Sequence, residues 1–232
     1  LFPYTTLFRS CGQTAGMTNS TDFYDILSTT RSIRRISDKP IDNEVLNRVL
    51  QAAIWAPSGG NRQPWRIIAV RDRAIKEQLS DIYAQRWSEY VDMNMKRVEG
   101  MPENIVEATR KGLAIGTQLA TSLANVPVVA TFVHDPREVF VTDGNLGRTP
   151  VVGGASLYPA VQNFLLAARA EGLGGVLTTL ISASENEVRP ILQLPEPWGV
   201  YAMVPLGYPK GNHGPLRRAP LEHMVKFDVW SD

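Results

Sequence analysis

A run of basic and hydroxyl side chains near the start of the chain has the composition of an anion site. It reads RSIRR, from Arg31 to Arg35, and lies between a predicted helix and Pro40. Because Arg donates through a planar fork and stays charged, several guanidinium groups within one turn suit a phosphate. The alternative is a solvated basic turn. A second basic pair, Arg217 and Arg218, could converge on the same anion, which sequence distance neither supports nor excludes.

The loop APSGGNRQPW, from Ala56 to Trp65, is a second candidate. Its paired glycines let a ligand approach the backbone closely, and the amide of Asn61 can both donate and accept hydrogen bonds. That dual capacity suits the edge of a flavin ring, where carbonyl acceptors alternate with an N–H donor. Pro, Ser, Gly and Asn are also the ordinary residues of a helix-to-strand turn, so both interpretations stay open.

The run GLGGVLTTL, from Gly172 to Leu180, is a third candidate. It does not fit a dinucleotide fingerprint, because Leu177 stands where the third glycine is needed and a helix precedes the strand. Its backbone amides and hydroxyls could instead hydrogen-bond a flat ring. The alternative is a helix cap followed by a buried strand.

The sequence lacks the motifs that metal sites, hydrolases and NTPases need. The histidines His134, His213 and His223 have no metal-ligand spacing, and neither a G-x-S-x-G elbow nor a Walker loop occurs. The 24 Lys and Arg nearly balance the 23 Asp and Glu, which leaves no basic excess for a nucleic acid or an anionic membrane. The apolar runs are also far shorter than the roughly 20 residues of a membrane helix. We therefore expect neither nucleic-acid nor membrane partners.

The periodicity of apolar residues predicts the elements that position these segments. Helices are predicted over residues 22–30, 42–56, 74–94, 103–123, 156–171 and 184–194, and strands over 65–70, 126–133, 176–179 and 200–206. Gly172 is the predicted stop of one helix, and Ser184 with Glu187 is a predicted capping box. Residues 135–154 are a predicted loop bordering a site. The irregular interleaving predicts one α+β domain, with helices on a mixed or antiparallel sheet.

The start of the chain is expected to lie outside this domain. Leu1 to Ser10 match an in-frame translation of a common sequencing adapter, and Met17 is a suitable start. We therefore expect residues 1–16 to be a non-native segment and residues 17–232 to form the domain. The sole cysteine, Cys11, falls in the first part, so the domain offers no thiol chemistry.

In this order, the candidate segments resemble the nitroreductase family of FMN enzymes. The resemblance spans Asp22 to Trp230 and rests on an R-S-x-R turn, a P-S-x-x-N-x-Q-P-W loop, a G-L-G run before a strand, and a G-Y-P…R-x-P tail. It implies an α+β three-layer sandwich whose sheet is flanked by helices. It also implies a homodimer that holds FMN at the subunit interface.

The resemblance further implies which residues bind the cofactor. Around the ribityl chain and phosphate, one subunit would place Arg31, Ser32, Arg34 and Arg218. The other subunit would supply the loop residues Pro57, Ser58, Gly59 and Asn61. Near the reactive N5 side of the flavin would lie Gly174, Gly175, Thr178 and Thr179. Thr30 replaces the Arg that usually precedes the R-S pair, so Arg217 or Arg35 would compensate. No side chain is expected to act as an obligatory acid or base.

The implied function is that of a cytoplasmic oxidoreductase. It would use NAD(P)H to reduce nitroaromatics, quinones or similar electron-poor small molecules by a ping-pong mechanism. The iodotyrosine-deiodinase branch is similar around Gly172 to Leu180, but its substrate clamp needs a Glu one helical turn before a Tyr. Here Leu79 precedes Tyr83, and Arg86 precedes Tyr90. A reductive dehalogenase and a low-turnover flavin-binding protein are the alternatives.

Overall fold

A four-stranded antiparallel sheet organises the residues that the computed structural model describes, which are 19–211, 213 and 216–230. Its strands follow the order β1-β2-β4-β3. They are β1 (Trp65–Val70), β2 (Val128–His134), β3 (Gly174–Gly175) and β4 (Gly199–Gly207). The sheet is therefore antiparallel, one of the two predicted kinds. The adapter-like segment and Met17 lie outside the described residues.

Helices cover both faces of this sheet. In the described part of the chain they are α1 (Phe23–Thr29), α2 (Asn43–Ile54), α3 (Arg73–Arg97), α4 (Glu103–Ser122), α5 (Tyr158–Ala170), α6 (Glu185–Leu192) and α7 (Leu221–Met224). One buried cluster contains residues of α2 and α5, and a second contains residues of α3, α4 and α6. The predicted three-layer arrangement is confirmed.

The alternation of side chains along β2 explains how one strand serves two cores. Val128, Ala130 and Phe132 belong to the cluster with α2 and α5. Val129 and Val133 belong to the cluster with α3 and α4. Successive strand residues point to opposite faces of a sheet, so a strand with apolar side chains on both faces must be covered on both sides.

Two local predictions are confirmed. The bounds of β1 are those predicted, and Gly172 ends α5 with a φ of 71°, a left-handed conformation that favours glycine. Behind it, the amide of Leu173 donates to the carbonyl of Ala168 at 2.8 Å and closes the last turn.

Two other local predictions are wrong. The strand expected over 176–179 is displaced to Gly174–Gly175, and Thr178 only forms an isolated bridge to Met203. The predicted capping box at the start of α6 does not form, since Ser184 makes no side-chain cap hydrogen bond. The reason is a competing cation, because Nε of Arg86 on α3 donates to the Ser184 hydroxyl at 2.6 Å, and the same guanidinium reaches Glu187 at 3.3 Å.

Helices α3 and α4 pack through an indole that lies on a glycine. A Cβ added at Gly116 would be 2.1 Å from two ring atoms of Trp87. Nε1 of Trp87 also donates to the hydroxyl of Thr117 at 3.0 Å, which fixes the ring against α4. The close approach of the two helices therefore depends on the missing side chain at Gly116.

We expect Gly116→Ala to lower the free energy of unfolding by about 1–3 kcal/mol, because the indole must leave its site. Gly112→Ala is the matched control, since Gly112 lies on the same helix with open space around its missing Cβ. That control should gain about 0.5–1 kcal/mol from higher helix propensity. Urea unfolding of both variants measures the difference, and equal effects would contradict the packing described.

Candidate cofactor site

The RSIRR run lies against the sheet edge formed by β3 and the end of β4. The amide of Ile33 donates to the carbonyl of Gly175 at 2.9 Å, and the amide of Lys210 donates to the carbonyl of Arg35 at 2.8 Å. Three segments that are far apart in the sequence thus meet: the basic run, the glycine run and the G-Y-P tail.

Glycine is required at this edge by contacts within the chain itself. A Cβ at Gly174 would lie 2.5 Å from Cγ1 of Ile33, and one at Gly175 would lie 2.6 Å from the carbonyl oxygen of Pro205. Ile33 is completely buried at this contact, whereas its neighbours Ser32 and Arg34 are not. The buried isoleucine therefore anchors the run and leaves its polar side chains outside the core.

His213 adds an unsatisfied polar group beside the basic run. Burial lowers the pKa of His213, and the positive charges of Arg31 and Arg35 lower it further. Its Nε2 is buried, and in the described part of the chain it has no hydrogen-bond partner. A buried polar atom next to guanidinium groups fits a bound anion, which would accept hydrogen bonds and offset the positive charge. Sequence patterns did not predict this position for His213, which stands in the tail without metal-ligand spacing to another histidine.

The two predicted threonines differ in exposure. Thr178 is buried, its backbone exchanges two hydrogen bonds of 2.9 Å with Met203, and its hydroxyl accepts from the amide of Leu180 at 3.4 Å. Thr179 is exposed. Burial raises the pKa of Tyr83 on α3, while a hydrogen bond with Thr178 and the charge of Arg34 lower it. Thr179 thus presents its side chain to solvent, whereas Thr178 belongs to the support behind it.

The loop from Pro57 to Pro64 has a defined conformation. The hydroxyl of Ser58 accepts from the amide of Gln63 at 2.9 Å and closes the loop on itself. Gly60, Asn61 and Gln63 have φ values of 58°, 52° and 50°. The side chain of Asn61 is exposed and accepts from Nε2 of Gln63 at 3.2 Å. Part of the hydrogen-bonding capacity predicted for Ser58 and Asn61 is therefore used within the loop.

This loop and the basic run lie at opposite corners of the sheet. The loop precedes Trp65 on the outer strand β1, at the end where His134 pairs with Gly199. The basic run lies beyond the other outer strand, where Gly174 pairs with Gly207. The length of β4 and three strand spacings separate the two corners by about 30 Å. One chain alone cannot bring both segments to the same group of a small ligand.

The basic pair in the tail is exposed. A guanidinium nitrogen of Arg218 donates to the carbonyl of Arg217 at 2.8 Å. The convergence of this pair on the ligand of Arg31 and Arg34 stays a prediction.

Comparison with known proteins assigns the chain to a family. The sequence model of the Nitroreductase family matches residues 27–208. The chain belongs to the nitroreductase family. Membership confirms the enzyme class and cofactor expected from the sequence, an NAD(P)H-dependent flavin oxidoreductase that uses FMN.

Individual relatives agree with this family assignment. The NADH dehydrogenase of Thermus thermophilus is 32% identical over 205 residues, which cover 84% of this chain and 90% of that protein. Iodotyrosine deiodinase 1 of Rattus norvegicus is 29% identical, with 89% of this chain and 69% of that protein covered. The structure of the NADPH:FMN oxidoreductase from Vibrio harveyi with NAD+ has the same fold. Its TM-score is 0.65 at 22% identity, and the match covers 90% of this chain and 78% of that one.

No helix within the described ranges combines the length and apolar character needed to cross a bilayer.

We expect Gly174→Ala to reduce both FMN content and thermal stability, because the new methyl group must displace Ile33 and shift the basic run from the sheet edge. Gly144→Ala is the control, since a Cβ there would make an ordinary contact of 3.7 Å with the carbonyl of Val141. The ratio of flavin to protein absorbance after purification measures cofactor content. Normal flavin content in Gly174→Ala would show that the packed edge does not position the site.

Proposed function

We propose that this protein is a homodimeric nitroreductase that transfers reducing equivalents from NAD(P)H to nitroaromatics, quinones or similar electron-poor small molecules in the cytoplasm. The observation that carries the proposal is the meeting of the basic run, the glycine run and the G-Y-P tail at one corner of the sheet. The names of the relatives from Thermus thermophilus and Vibrio harveyi support a nicotinamide donor.

The basic corner fits the phosphate end of FMN. Arg31, Ser32 and Arg34 surround Ile33 in sequence, so its burial at the sheet edge holds them close to one another. Charge-assisted hydrogen bonds from guanidinium groups are the strongest that a phosphate can receive from side chains. Arg218 would complete this group from the tail.

Residues from the partner subunit would complete each site. The separation of about 30 Å between the corners argues against a single-chain site, whereas a symmetric dimer can bring the loop of one subunit to the basic corner of the other. Pro57, Ser58, Gly59 and Asn61 would then contact the flavin ring from the partner side.

Exposed apolar side chains support the same assembly. The tail carries Leu221, Met224, Phe227 and Val229, and each is at least 71% exposed. Trp55, at the end of α2, is 73% exposed. Single exposed apolar residues are ordinary, but a run of them along a terminal segment indicates a surface that another chain covers.

The chain supplies positioning rather than acid–base chemistry. When bound, FMN supplies the redox chemistry by accepting reducing equivalents from NAD(P)H and passing them to the acceptor. The backbone of Gly174 and Gly175 and the exposed hydroxyl of Thr179 would orient the ring on one side. Donor and acceptor would occupy the same open face in turn, which is the basis for expecting ping-pong kinetics.

A deiodinase activity has less support than the reduction of nitro compounds or quinones. At the positions where a clamp would be needed, Leu79 is fully buried and Tyr83 is 3% exposed. Arg86 is held by Glu89 at 2.9 Å and by Ser184 at 2.6 Å. None of these side chains is placed to hold the charged groups of an amino-acid substrate.

We expect Arg34→Ala and Asn61→Ala each to lose flavin as homodimers, and a co-expressed mixture to recover part of it. In a mixed dimer, one site pairs the intact Arg34 of one subunit with the intact Asn61 of the other. The second site carries both substitutions. Differential tags isolate the mixed dimer, and flavin absorbance counts its sites. One recovered site per dimer is the expected result, and none would refute the shared site.

Acceptor specificity is tested by NADPH and NADH oxidation under anaerobic conditions with a nitroaromatic, a quinone or 3-iodotyrosine. We expect turnover with the first two, with parallel double-reciprocal plots. Release of iodide as the main activity would replace the proposed function by reductive dehalogenation. Flavin-loaded protein without turnover of any acceptor would indicate a binding protein.

A further inference from the structure

The connection between β2 and α5 holds the loop from Pro57 to Pro64 at two points. The amide of Gly59 donates to the hydroxyl of Ser156 at 2.9 Å. Farther along the loop, Arg62 pairs with Glu138 at 2.6 Å, and its guanidinium carbon lies 4.6 Å from the ring centre of Phe140. Glu138 and Phe140 belong to the predicted loop 135–154, whereas Ser156 is the first residue of the predicted helix that follows; together they attach this connection to the Pro57–Pro64 loop at two points.

We propose that Ser156 is a positioning residue for cofactor binding. Its hydroxyl fixes the amide of Gly59 and thereby sets the direction in which the loop presents Asn61 to the FMN held by the partner subunit. The inference rests on the proposed shared site and adds to it a residue that does not itself touch the cofactor.

The loop needs this external restraint because of its own composition. Gly59 and Gly60 are adjacent, and glycine has the largest conformational freedom of any residue. Asn61 and Gln63 adopt left-handed conformations, which cost free energy for residues with a Cβ. The bonds within the loop are donated by the amides of Asn61, Arg62 and Gln63, so none of them uses the amide of Gly59. Ser156 supplies that restraint.

Ser156 is itself held in place. It is the last residue of the 3₁₀ turn Val152–Ser156, and only Leu157 separates it from the first residue of α5. The amides of Val151 and Val152 donate to the buried carboxylate of Asp143 at 2.8 Å and 3.3 Å. A hydroxyl held between a fixed turn and a helix start is a suitable anchor for a glycine loop.

The Ser156 hydroxyl lies where its loss affects the loop without affecting the packing of the core. Its side chain is partly exposed and belongs to neither buried cluster, so loss of the hydroxyl leaves no cavity in the core. Its removal should therefore act on the loop and on cofactor affinity, with little effect on the global stability of the protein.

The test measures the release of FMN from diluted holoprotein by the recovery of free-flavin fluorescence. We expect Ser156→Ala to weaken FMN binding about fivefold, the order expected for one neutral hydrogen bond. Ser156→Thr, which keeps the hydroxyl, should restore most of the affinity. Ser122→Ala is the control, since that hydroxyl donates only within its own helix, to the carbonyl of Gln118 at 2.7 Å.

A double-mutant cycle distinguishes positioning from a general structural role. If Ser156 acts by presenting Asn61, the effect of Ser156→Ala on FMN affinity should shrink in the Asn61→Ala background. An undiminished effect, or no rescue by Thr, would overturn the inference. Unchanged affinity in Ser156→Ala would also overturn it, provided that Arg34→Ala and Asn61→Ala weaken binding. If neither of those variants weakens binding, the shared site itself fails.

Discussion

The contact between Ile33 and Gly174 is the constraint on which the basic corner of the sheet depends. Because Gly174 has no Cβ, the buried side chain of Ile33 lies directly on the sheet edge, and the amide of Ile33 donates to the carbonyl of Gly175 at 2.9 Å. With Ile33 inside, the polar residues on either side of it must remain outside the core. The tail after β4 adds to the same edge through Lys210, so one packing contact gathers three distant parts of the chain.

The strand order sets the second constraint. Because β2 and β4 are central strands with apolar side chains buried on both faces, helices must cover both sides of the sheet, and each candidate binding segment is left at an outer strand. The loop before β1 and the run beside β3 then cannot approach one another within a protomer. The proposed dimer, in which the loop of one subunit meets the basic run of the other, accounts for this separation and for the exposed apolar tail.

The sequence predicted what depends on local patterns. The run of apolar residues in β1 and the glycine at the end of α5 have short-range causes, and both are observed. The capping box of Ser184 failed because Arg86, far away in the sequence, binds the hydroxyl. The predicted strand was displaced because the ladder with β4 forms at Gly174 and Gly175, and only the isolated bridge of Thr178 to Met203 remains beyond it. The role of Ser156 depends on a hydrogen bond between residues 97 positions apart, and that of His213 depends on the fold of the tail. Neither role can be predicted from the residues that surround Ser156 or His213 in the sequence.

The location of the loop and the basic run at opposite corners of the sheet has a thermodynamic consequence. When each site needs residues from two chains, cofactor binding and subunit association are linked equilibria, and each must strengthen the other by the same factor. Flavin retention then varies with protein concentration, and free flavin shifts the balance from monomers toward dimers. At low concentration, newly made chains would remain without cofactor until they meet a partner.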